Sequence, residues 1–563
     1  LWTYIFFNMP KIIIYQMLPR LFGNNNPHPL FNGTIEQNGC GKMNDITPSV
    51  LLRLKKSGIT HVWYTGLLEH ATCTDYSKYG IAKDHAAIVK GRAGSPYAIK
   101  DYYDIDPDLA SSPEKRLKEF RALLKRTHAA GLGFVMDFVP NHVARQYHSD
   151  QKPEGVADLG ADDNCNQAFS PFNNFYYIPG HPLCCQFDMK SYENSPYQEN
   201  PAKATGNDCF SSTPGRNDWY ETVKLNYGID YAGGRQCRFD PMPDTWHKML
   251  HILLYWASMG VDAFRCDMAE MVPCEFWHWA IAEVKRHYPN VLFIAEVYNP
   301  LLYREYLYRG HFNYLYDKVG LYDTLRAVTR MERPASDITF CWQSLGDIQK
   351  YMLNFLENHD EQRLASDFYA SSGSKGRAAL LVSACMNTNP FMLYFGQELG
   401  ERGMEHEGFS GLDGRTTIFD YWNVPSLVAW RKNGRYALSN LSTEQRTLYA
   451  YYTKLLCTIQ NEPSLYEGRF FDLMYANYDN PHFDSTRISA FIRQSGNEAI
   501  LAIANFSDDV QQVQVNIPAH AFDFLGIPQG HYKAKELIGG KILALEFAPN
   551  RLCSVTVQPY DGM

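Results

Sequence analysis

Eight short apolar runs alternate with amphipathic helical patterns between residue 11 and about residue 396, and this alternation constrains the fold more than any other feature. The runs are Lys11–Ile14, Ile59–Tyr64, Gly133–Val139, Val261–Arg265, Val291–Ala295, Phe312–Leu315, Met352–Leu356 and Pro390–Tyr394. The helices predicted between them include Ser49–Ser57, Pro113–Ala130, Trp246–Met259, Cys274–His287 and Lys375–Met386. Strands that alternate with helices form a parallel sheet, and eight such units predict a (β/α)8 TIM barrel. A doubly wound sheet is the competing fold, but no glycine-rich phosphate loop follows any run.

Two stretches interrupt the alternation and predict further domains. Residues 142 to about 228 are rich in Asn, Asp, Pro and Tyr and show little periodicity, which is typical of a functional insertion. After about residue 464 the helical pattern stops, and alternating segments predict an antiparallel β-sandwich. We therefore predict a barrel domain at residues 1–142 and 229–464, an inserted loop-rich domain at 143–228 and a C-terminal β domain at 465–563.

Charge and cysteine content exclude several classes of partner. The chain has 53 Lys+Arg and 61 Asp+Glu, a net charge of −8 with no broad basic field, so we expect no nucleic-acid partner. No apolar run approaches the roughly 18 residues of a membrane-spanning helix. The 13 cysteines are scattered without a CxxC motif, which favours a reducing compartment such as the cytoplasm and leaves the periplasm and secretion open.

Met9, before Pro10 and Lys11, is an alternative natural start.

Polar side chains follow four of the predicted strands. They are Asp137 in the third run, Arg265 and Asp267 at the fourth, Glu296 after the fifth, and Asn358, His359 and Asp360 after the seventh. A lone Asp there is usually a helix cap, and Arg265 with Asp267 could be a structural ion pair. Catalytic groups of parallel barrels nevertheless lie at the strands' carboxyl ends, and clustered carboxylates raise one another's pKa. One then donates a proton while another stays an ionised nucleophile, as retaining glycoside cleavage requires.

These segments resemble the short signature regions of the α-amylase superfamily, glycoside hydrolase family 13. Residues 137–142, 264–267, 294–296 and 358–360 resemble its first to fourth regions in order and spacing. Residues 15–22, 101–107 and 389–398 are similar to its motifs at the first strand, before the second barrel helix and at the eighth strand. The resemblance covers about residues 11–400, and the ordered set is far more specific than any single motif.

The resemblance implies three catalytic carboxylates. Asp267 would be the nucleophile that forms a covalent β-glucosyl intermediate, and Glu296 would be the general acid and then the general base. Asp360 would hold sugar hydroxyls and favour the oxocarbenium-like transition state. Arg265 would pair with Asp267 and keep it ionised, since a guanidinium stays charged at any working pH.

The resemblance also implies residues that bind or support the substrate. Tyr97 would stack beneath the sugar, and His142 and His359 would donate hydrogen bonds to its hydroxyls. Asp137 would brace the site. Aromatic residues make up 14% of the chain, and those of the insertion that suit sugar stacking are Trp219, Tyr220 and Tyr227.

No cofactor is implied for the chemistry, but many family members bind calcium beside the insertion. Asn141 would be one calcium ligand. Calcium-binding members have Asp where this chain has Lys224, and calcium needs six to eight oxygen ligands. We therefore hypothesise that Lys224 takes the place of the cation.

Other departures concern specificity. The chain has Gly66 where the second-strand motif usually has Pro, and Ser95 where many members have His. It has Glu270 and Met271 where many α-amylases have Lys-His, at positions that contact the leaving-side sugars. The lysine form of the insertion motif resembles neopullulanases and cyclomaltodextrinases, but their Asn-Glu after the nucleophile is not reproduced.

The leading hypothesis is an α-amylase-type enzyme that cleaves α-1,4 bonds of starch, glycogen or maltooligosaccharides with retention. A transglycosylase, or an enzyme for α-1,6 bonds or cyclodextrins, shares this chemistry and stays open. A non-catalytic relative, such as the ectodomain of an amino-acid-transporter heavy chain, is disfavoured because all three carboxylates are retained. A barrel enzyme of different chemistry is disfavoured by the number of ordered motifs.

Overall fold

A computed structural model describes residues 11–185, 187, 189, 195–432 and 436–563; Met9 lies outside these residues. Eight parallel strands form a closed barrel in which each strand pairs with its neighbours in chain order. They are β1 Ile13–Met17, β2 His61–Tyr64, β3 Gly133–Phe138, β4 Ala263–Cys266, β5 Leu292–Ala295, β6 Tyr314–Tyr316, β7 Met352–Phe355 and β8 Phe391–Tyr394. The barrel closes where β1 pairs with β8, with Ile13 opposite Phe391. The predicted (β/α)8 barrel is confirmed.

Helices surround the barrel, most of them with one buried apolar face, whereas Arg377–Cys385 is buried almost all round. The principal ones are α1 Pro48–Lys56, α2 Arg116–Ala129, α3 Asp244–Met259, α4 Cys274–His287, α5 Asp323–Thr329, α6 Ile338–Leu345, α7 Arg377–Cys385 and α8 Thr443–Asn461. Shorter helices are Pro19–Phe22, Ile35–Asn38, Pro425–Trp430 and Pro463–Tyr466. In α2 the sequence spacing predicts one apolar face of Leu117, Phe120, Leu123 and Leu124; the last three are buried and Leu117 is half-buried. The barrel strands are instead buried on both faces, which explains their continuous apolar runs.

Short antiparallel strand pairs lie outside the barrel. Directly after β3, His142–Ala144 pairs with Thr222–Lys224, so the two ends of the long insertion meet beside the barrel. Between β2 and α2, Leu68–His70 pairs with Ile99–Ile105. The sequence pattern predicts no strand at Ile99–Ile105, because Lys100, Asp101 and Asp104 interrupt the apolar residues. All seven residues are nevertheless buried, so tertiary packing decides this element.

The C-terminal part is built from antiparallel strands, as predicted. They are β9 Arg469–Asp472, β10 Ile488–Ser495, β11 Glu498–Asn505, β12 Gln511–Asn516, β13 Gly530–Lys535, β14 Ile542–Phe547 and β15 Leu552–Val557. The pairs are β9 with β10, β10 with β11, β12 with β15, and β13 with β14, and several of these strands share an apolar core.

One helix, Ala519–Leu525, lies among these strands, where the sequence pattern predicts no further helix. It has only seven residues, with Ala521, Phe522 and Leu525 buried, too short a pattern to stand out. The domain boundaries near residues 142, 228 and 464 stay predictions. Within the described part of the chain, no helix combines the length and apolarity that crossing a bilayer requires.

Candidate active site

Arg265, at the end of β4, joins the predicted catalytic carboxylates. Its Nη1 donates to Asp267 Oδ1 at 2.6 Å, and its Nη2 lies 2.9 Å from Glu296 Oε2 in an ion pair. Asp137 Oδ1 lies 3.8 Å from Nη1. Arg265 is 1% exposed, so these charges interact with little water between them. The structure therefore brings together the side chains that β3, β4 and β5 present at one end of the barrel.

The carboxyl group of Glu296 is tuned toward holding a proton at neutral pH. Burial raises its pKa to about 7, and the negative charges of Asp267 and Asp360 act in the same direction. Arg265 and the hydroxyl of Tyr298 oppose this rise. Burial also raises the pKa of Asp267, against the charge and hydrogen bond of Arg265. Asp267 and Glu296 thus differ in their hydrogen-bond donors: Arg265 donates to Asp267, and the Tyr298 hydroxyl donates to Glu296.

The turn that carries Asp267 is shaped toward Glu296. Met268 has φ 42°, a left-handed backbone conformation that residues other than glycine rarely adopt. In this conformation its backbone N–H donates to Glu296 Oε2 at 2.8 Å. Backbone strain of this kind is found at functional sites, where the surrounding structure holds it in place. The hydrogen bond from the strained Met268 backbone thus holds the turn that carries Asp267 against the carboxylate of Glu296.

Asp360 lies at the open side of the cluster. Its side chain is 43% exposed, and His359 Nε2 lies 3.0 Å from its Oδ2. Partial burial raises the pKa of Asp360, but His359, Arg265 and Arg415 together outweigh it and hold that pKa below its usual range. Asp360 is therefore an ionised acceptor at the solvent side, suited to sugar hydroxyls.

The aromatic ring of Tyr97 lies against this group. It stacks on His359 with ring centroids 5.0 Å apart, and the Arg265 guanidinium lies 5.4 Å from its centroid. Ser95 Oγ accepts the backbone N–H of Tyr97 at 3.3 Å, so the residue that departs from the family pattern supports the turn before the ring.

His142 lies on the insertion side of the site. It is 3% exposed and packs against Trp219, with ring centroids 5.2 Å apart. Burial lowers the pKa of His142 to about 3, so the ring is neutral in the working range. Of the other two aromatic candidates, Tyr227 is buried and donates its hydroxyl to Pro140 O at 2.7 Å, and Tyr220 is also buried. Trp219 is thus the one of the three that contacts a predicted site residue through its ring.

Asp137 braces the base of the cluster. Its Oδ2 accepts the backbone N–H of Gly66 at 3.2 Å. The usual proline at this position would have no N–H to donate, so Gly66 adds a hydrogen bond that proline cannot make.

Sequence reasoning missed four side chains that hold the predicted residues. The Tyr298 hydroxyl donates to Glu296 Oε1, and the Gln16 amide lies 2.8 Å from His359 Nδ1. Arg265 Nε donates to the Tyr316 hydroxyl at 3.1 Å, and its guanidinium lies 5.1 Å from the Trp63 ring centroid. Three of the four are at the carboxyl ends of strands, and Tyr298 is two residues beyond Glu296. Searching strand ends for any polar or aromatic side chain, rather than for charges, would have found them.

We expect the basic limb of the pH profile to be set by Glu296. A general acid must be protonated, and the pKa of Glu296 is raised to about 7, so kcat/KM for a glucan should fall as pH increases through about 7. The measurement is kcat/KM between pH 5 and 9, a range of about four units around a typical optimum. An undiminished rate at the alkaline end would contradict this role for Glu296.

Tyr298→Phe provides the matched check. The lost hydroxyl stabilises the ionised form of Glu296, so its removal should raise the pKa of Glu296 and move the basic limb to higher pH. A variant with lower activity and an unmoved limb would show that Tyr298 only packs against the site.

Lys224 occupies the position where the family resemblance implies a calcium ligand. Its Nζ donates to Asn141 Oδ1 at 2.7 Å and lies 2.5 Å from Asp208 Oδ1. Asn141 Nδ2 donates to Gly206 O at 2.7 Å, which orients the amide oxygen toward the ammonium. An ammonium group among these oxygens does not fit a calcium-binding set, which needs the same lone pairs. The substitution of Lys224 for the cation is a proposal that this geometry supports.

Lys224→Met should destabilise the protein because it leaves Asp208 and Asn141 without their partner. Asp208 is 28% exposed, so we expect a loss of about 2–3 kcal/mol, below the 3–5 kcal/mol of fully buried pairs. Denaturant unfolding in saturating calcium measures it. Lys318→Met, which breaks more exposed ion pairs, is the control, with an expected loss under about 1 kcal/mol. Equal losses in the two variants would mean that Lys224 does not replace a cation.

Comparison with known proteins identifies the family. The sequence profile described as "Alpha amylase, catalytic domain" matches residues 16–447, well over half of the chain. The chain belongs to the α-amylase family. The carboxylates described above lie within the matched catalytic domain.

Two relatives of this α-amylase family member are about a quarter identical to it over the aligned residues. Alpha-amylase 3 of Dictyoglomus thermophilum is 24% identical over 382 residues, which cover 64% of this chain and 65% of that protein. The alpha-1,4-glucan:maltose-1-phosphate maltosyltransferase of Picrophilus torridus is 26% identical over 213 residues, which cover 37% of this chain and 24% of that protein. The chain thus spans between about a quarter and two thirds of the length of these relatives.

The noncanonic maltogenic alpha-amylase AmyB from Thermotoga neapolitana shares the fold. Its crystal structure matches with a TM-score of 0.63 at 20% identity, over 99% of this chain and 98% of that one.

Proposed function

We propose that the chain is a retaining hydrolase that cleaves α-1,4-glucosidic bonds of starch, glycogen or maltooligosaccharides by double displacement. The observation that carries the proposal is the guanidinium of Arg265, which contacts both Asp267 and Glu296. Retaining glycosidases hold their two carboxyl groups about 5 Å apart, without room for a water between them. Two carboxylates on one guanidinium suit that close spacing.

In the first step, an Asp267 oxygen attacks the anomeric carbon and forms a glycosyl ester as the glycosidic C–O bond breaks. Glu296 gives its proton to the departing oxygen, which leaves as a free sugar hydroxyl. Burial prepares Glu296 for this by raising its pKa to about 7, so that the proton is present at neutral pH. The hydrogen bond from Arg265 prepares Asp267 by stabilising its charge.

In the second step, ionised Glu296 takes a proton from water as the water attacks the anomeric carbon. The ester bond to Asp267 breaks, and the product keeps the α configuration after two inversions. Tyr298 and the N–H of Met268 stabilise the negative charge that Glu296 carries between the two steps.

The remaining site residues would bind the sugar ring. Asp360 is ionised and partly exposed, so it can accept hydrogen bonds from hydroxyls that tighten in the transition state. Tyr97 offers an apolar face for stacking. His142 and His359 border the same cluster. A neutral glucan also agrees with the lack of a broad basic field in a chain of net charge −8.

Transglycosylation is the alternative, and it rests on the maltosyltransferase relatives. One of them, from Rhodospirillum rubrum, is 40% identical over 209 residues, or 36% of this chain. The acceptor side also departs from common α-amylases, because Glu270 accepts the backbone N–H groups of Tyr298 and Asn299 at 3.2 and 3.0 Å. The carboxylate of Glu270 thus orders the loop beyond Glu296. Many α-amylases instead have a Lys at this position, which contacts the leaving-side sugars.

Product analysis distinguishes these activities. Soluble starch, pullulan and cyclodextrin would each be incubated with the wild type and with Asp267→Asn, with and without maltose 1-phosphate. If the enzyme is a hydrolase, the wild type should release new reducing ends from starch, and these ends should have the α configuration. Asp267→Asn should release no new reducing ends. Products of inverted configuration would overturn the retaining mechanism, and chain growth from maltose 1-phosphate without new reducing ends would favour the transferase.

The compartment is part of the same proposal. Cys266, Cys341 and Cys385 are buried thiols without a disulfide, which supports a reducing location such as the cytoplasm.

A further inference from the structure

A second group of carboxylates lies apart from Asp267 and Glu296, on the strand pair between β2 and α2. Glu69 of Leu68–His70 stands directly opposite Asp101 of Ile99–Ile105, a like-charge pair that by itself destabilises a sheet. Asp104 follows on the same strand, and Asp150 comes from the loop that begins the insertion. Glu69 is 1% exposed, and Asp101 and Asp104 are fully buried.

Two of the four carboxylates have their hydrogen-bond partners. Asp101 accepts the Ser149 hydroxyl at 2.6 Å and the backbone N–H groups of Tyr103, Asp150 and Gln151 at 2.7 to 3.1 Å. Asp104 accepts Arg116 Nε at 2.6 Å and the backbone N–H of Ile105 at 2.7 Å. These contacts explain how Asp101 and Asp104 tolerate burial.

Among the residues that the structure describes, Glu69 has no such partners: neither of its carboxylate oxygens has a hydrogen bond, and neither does Asp150 Oδ1. Lys100 does not fill this gap, because its ammonium binds Asp84 Oδ2 at 3.0 Å and Ala82 O. Burial and the charges of the three aspartates raise the pKa of Glu69 well above its usual range.

Carboxylate oxygens of three of these side chains lie close together. One carboxylate oxygen from each of Glu69, Asp104 and Asp150 lies within 4.8 Å of the other two. Calcium binds oxygen at about 2.3–2.6 Å, so two of its ligands are separated by at most roughly 5 Å. The three oxygens lie within that limit, and the second oxygen of Glu69 would add a ligand.

We propose that Glu69, Asp104 and Asp150 form a binding site for a calcium-type divalent cation. The Arg116 guanidinium binds Asp104, and its Nη2 lies 3.4 Å from Asp150 Oδ2. The charge of Lys100 also favours the ionised form of Glu69, but these two cations do not balance four carboxylates. A bound cation would offset the remaining negative charge and satisfy the buried Glu69 oxygens. It would tie together the strand pair, the start of α2 and the first loop of the insertion. The site differs from the Asn141 position, where Lys224 supplies the charge.

The test compares the wild-type chain with Glu69→Gln after treatment with a chelator. Calcium is added during thermal unfolding, and terbium is added with excitation of nearby tyrosines such as Tyr103 and Tyr147. We expect calcium to raise the Tm of the wild type only, and the variant to bind one terbium ion fewer. Glu332→Gln, at an exposed side chain, is the matched control and should behave as the wild type.

Two results would overturn the proposal. If calcium leaves the wild-type Tm unchanged, Glu69 is held as a neutral acid. If both proteins respond to calcium alike, the ion binds elsewhere. Should Glu69→Gln fail to fold, Asp150→Asn at the more exposed end of the cluster replaces it, with an expected loss of calcium affinity of at least about tenfold.

Discussion

Asp267→Asn should lower the rate of starch hydrolysis by about 10⁴-fold or more while the barrel stays folded. The amide cannot form the glycosyl ester, so the first step loses its nucleophile. Asn is nearly isosteric, and its oxygen can still accept the hydrogen bond that Arg265 donates at 2.6 Å. The measurements are initial rates of reducing-end release and thermal unfolding of the same preparation.

Asp262→Asn is the matched control for this substitution. Asp262 precedes the same strand, β4, at its opposite end, and accepts the backbone N–H of Phe134 at 2.7 Å. The amide oxygen can keep that bond, so activity should stay within about twofold of the wild type. Near-normal turnover by Asp267→Asn, or an equal loss in Asp262→Asn, would refute the nucleophile assignment.

Glu296→Gln should lower glucan cleavage by about 10²- to 10⁴-fold, the contribution typical of general acid–base catalysis. The loss should depend on the leaving group, because an alcohol must be protonated as it departs, whereas fluoride or an acidic phenol leaves without help. Formation of the glycosyl ester from a maltosyl fluoride should therefore proceed far better than cleavage of maltooligosaccharides. Burst and steady-state kinetics on the two substrates measure the difference.

The same variant tests the second step. Without a base to deprotonate water, the ester should persist, and azide, which needs no deprotonation, should release it and restore turnover. Asp267→Asn must fail on both substrates, with or without azide, which makes it the internal control. If Glu296→Gln loses both substrates equally and azide has no effect, Glu296 is not the acid–base residue.

The element order was largely predictable because the barrel repeats a strong pattern. Strands buried on both faces give continuous apolar runs, and helices with one buried face give a periodic pattern, so α4 was predicted with both of its ends. The failures are elements whose pattern is weak. Ile99–Ile105 carries charges that are satisfied only by distant partners, and Ala519–Leu525 is too short for its periodicity to register.

The gathering of the candidate site residues was predictable for a geometric reason. In a closed parallel barrel all strands run the same way, so side chains that follow β3, β4, β5 and β7 must meet at one end. Asp267, Glu296 and Arg265 are therefore neighbours in space although up to 31 positions separate them. Their catalytic and binding roles rest on the family resemblance and await the experiments above.

The sequence by itself determined the barrel, the order of its strands and which carboxylates would meet, because periodicity and strand direction are local properties. Only the tertiary structure decided the partners of those charges. Lys224 finds Asn141 and Asp208, Tyr298 donates to Glu296, and Glu69 is left among carboxylates without a hydrogen bond. These outcomes depend on burial and on loops far apart in the chain, and burial is what makes an unpartnered charge costly.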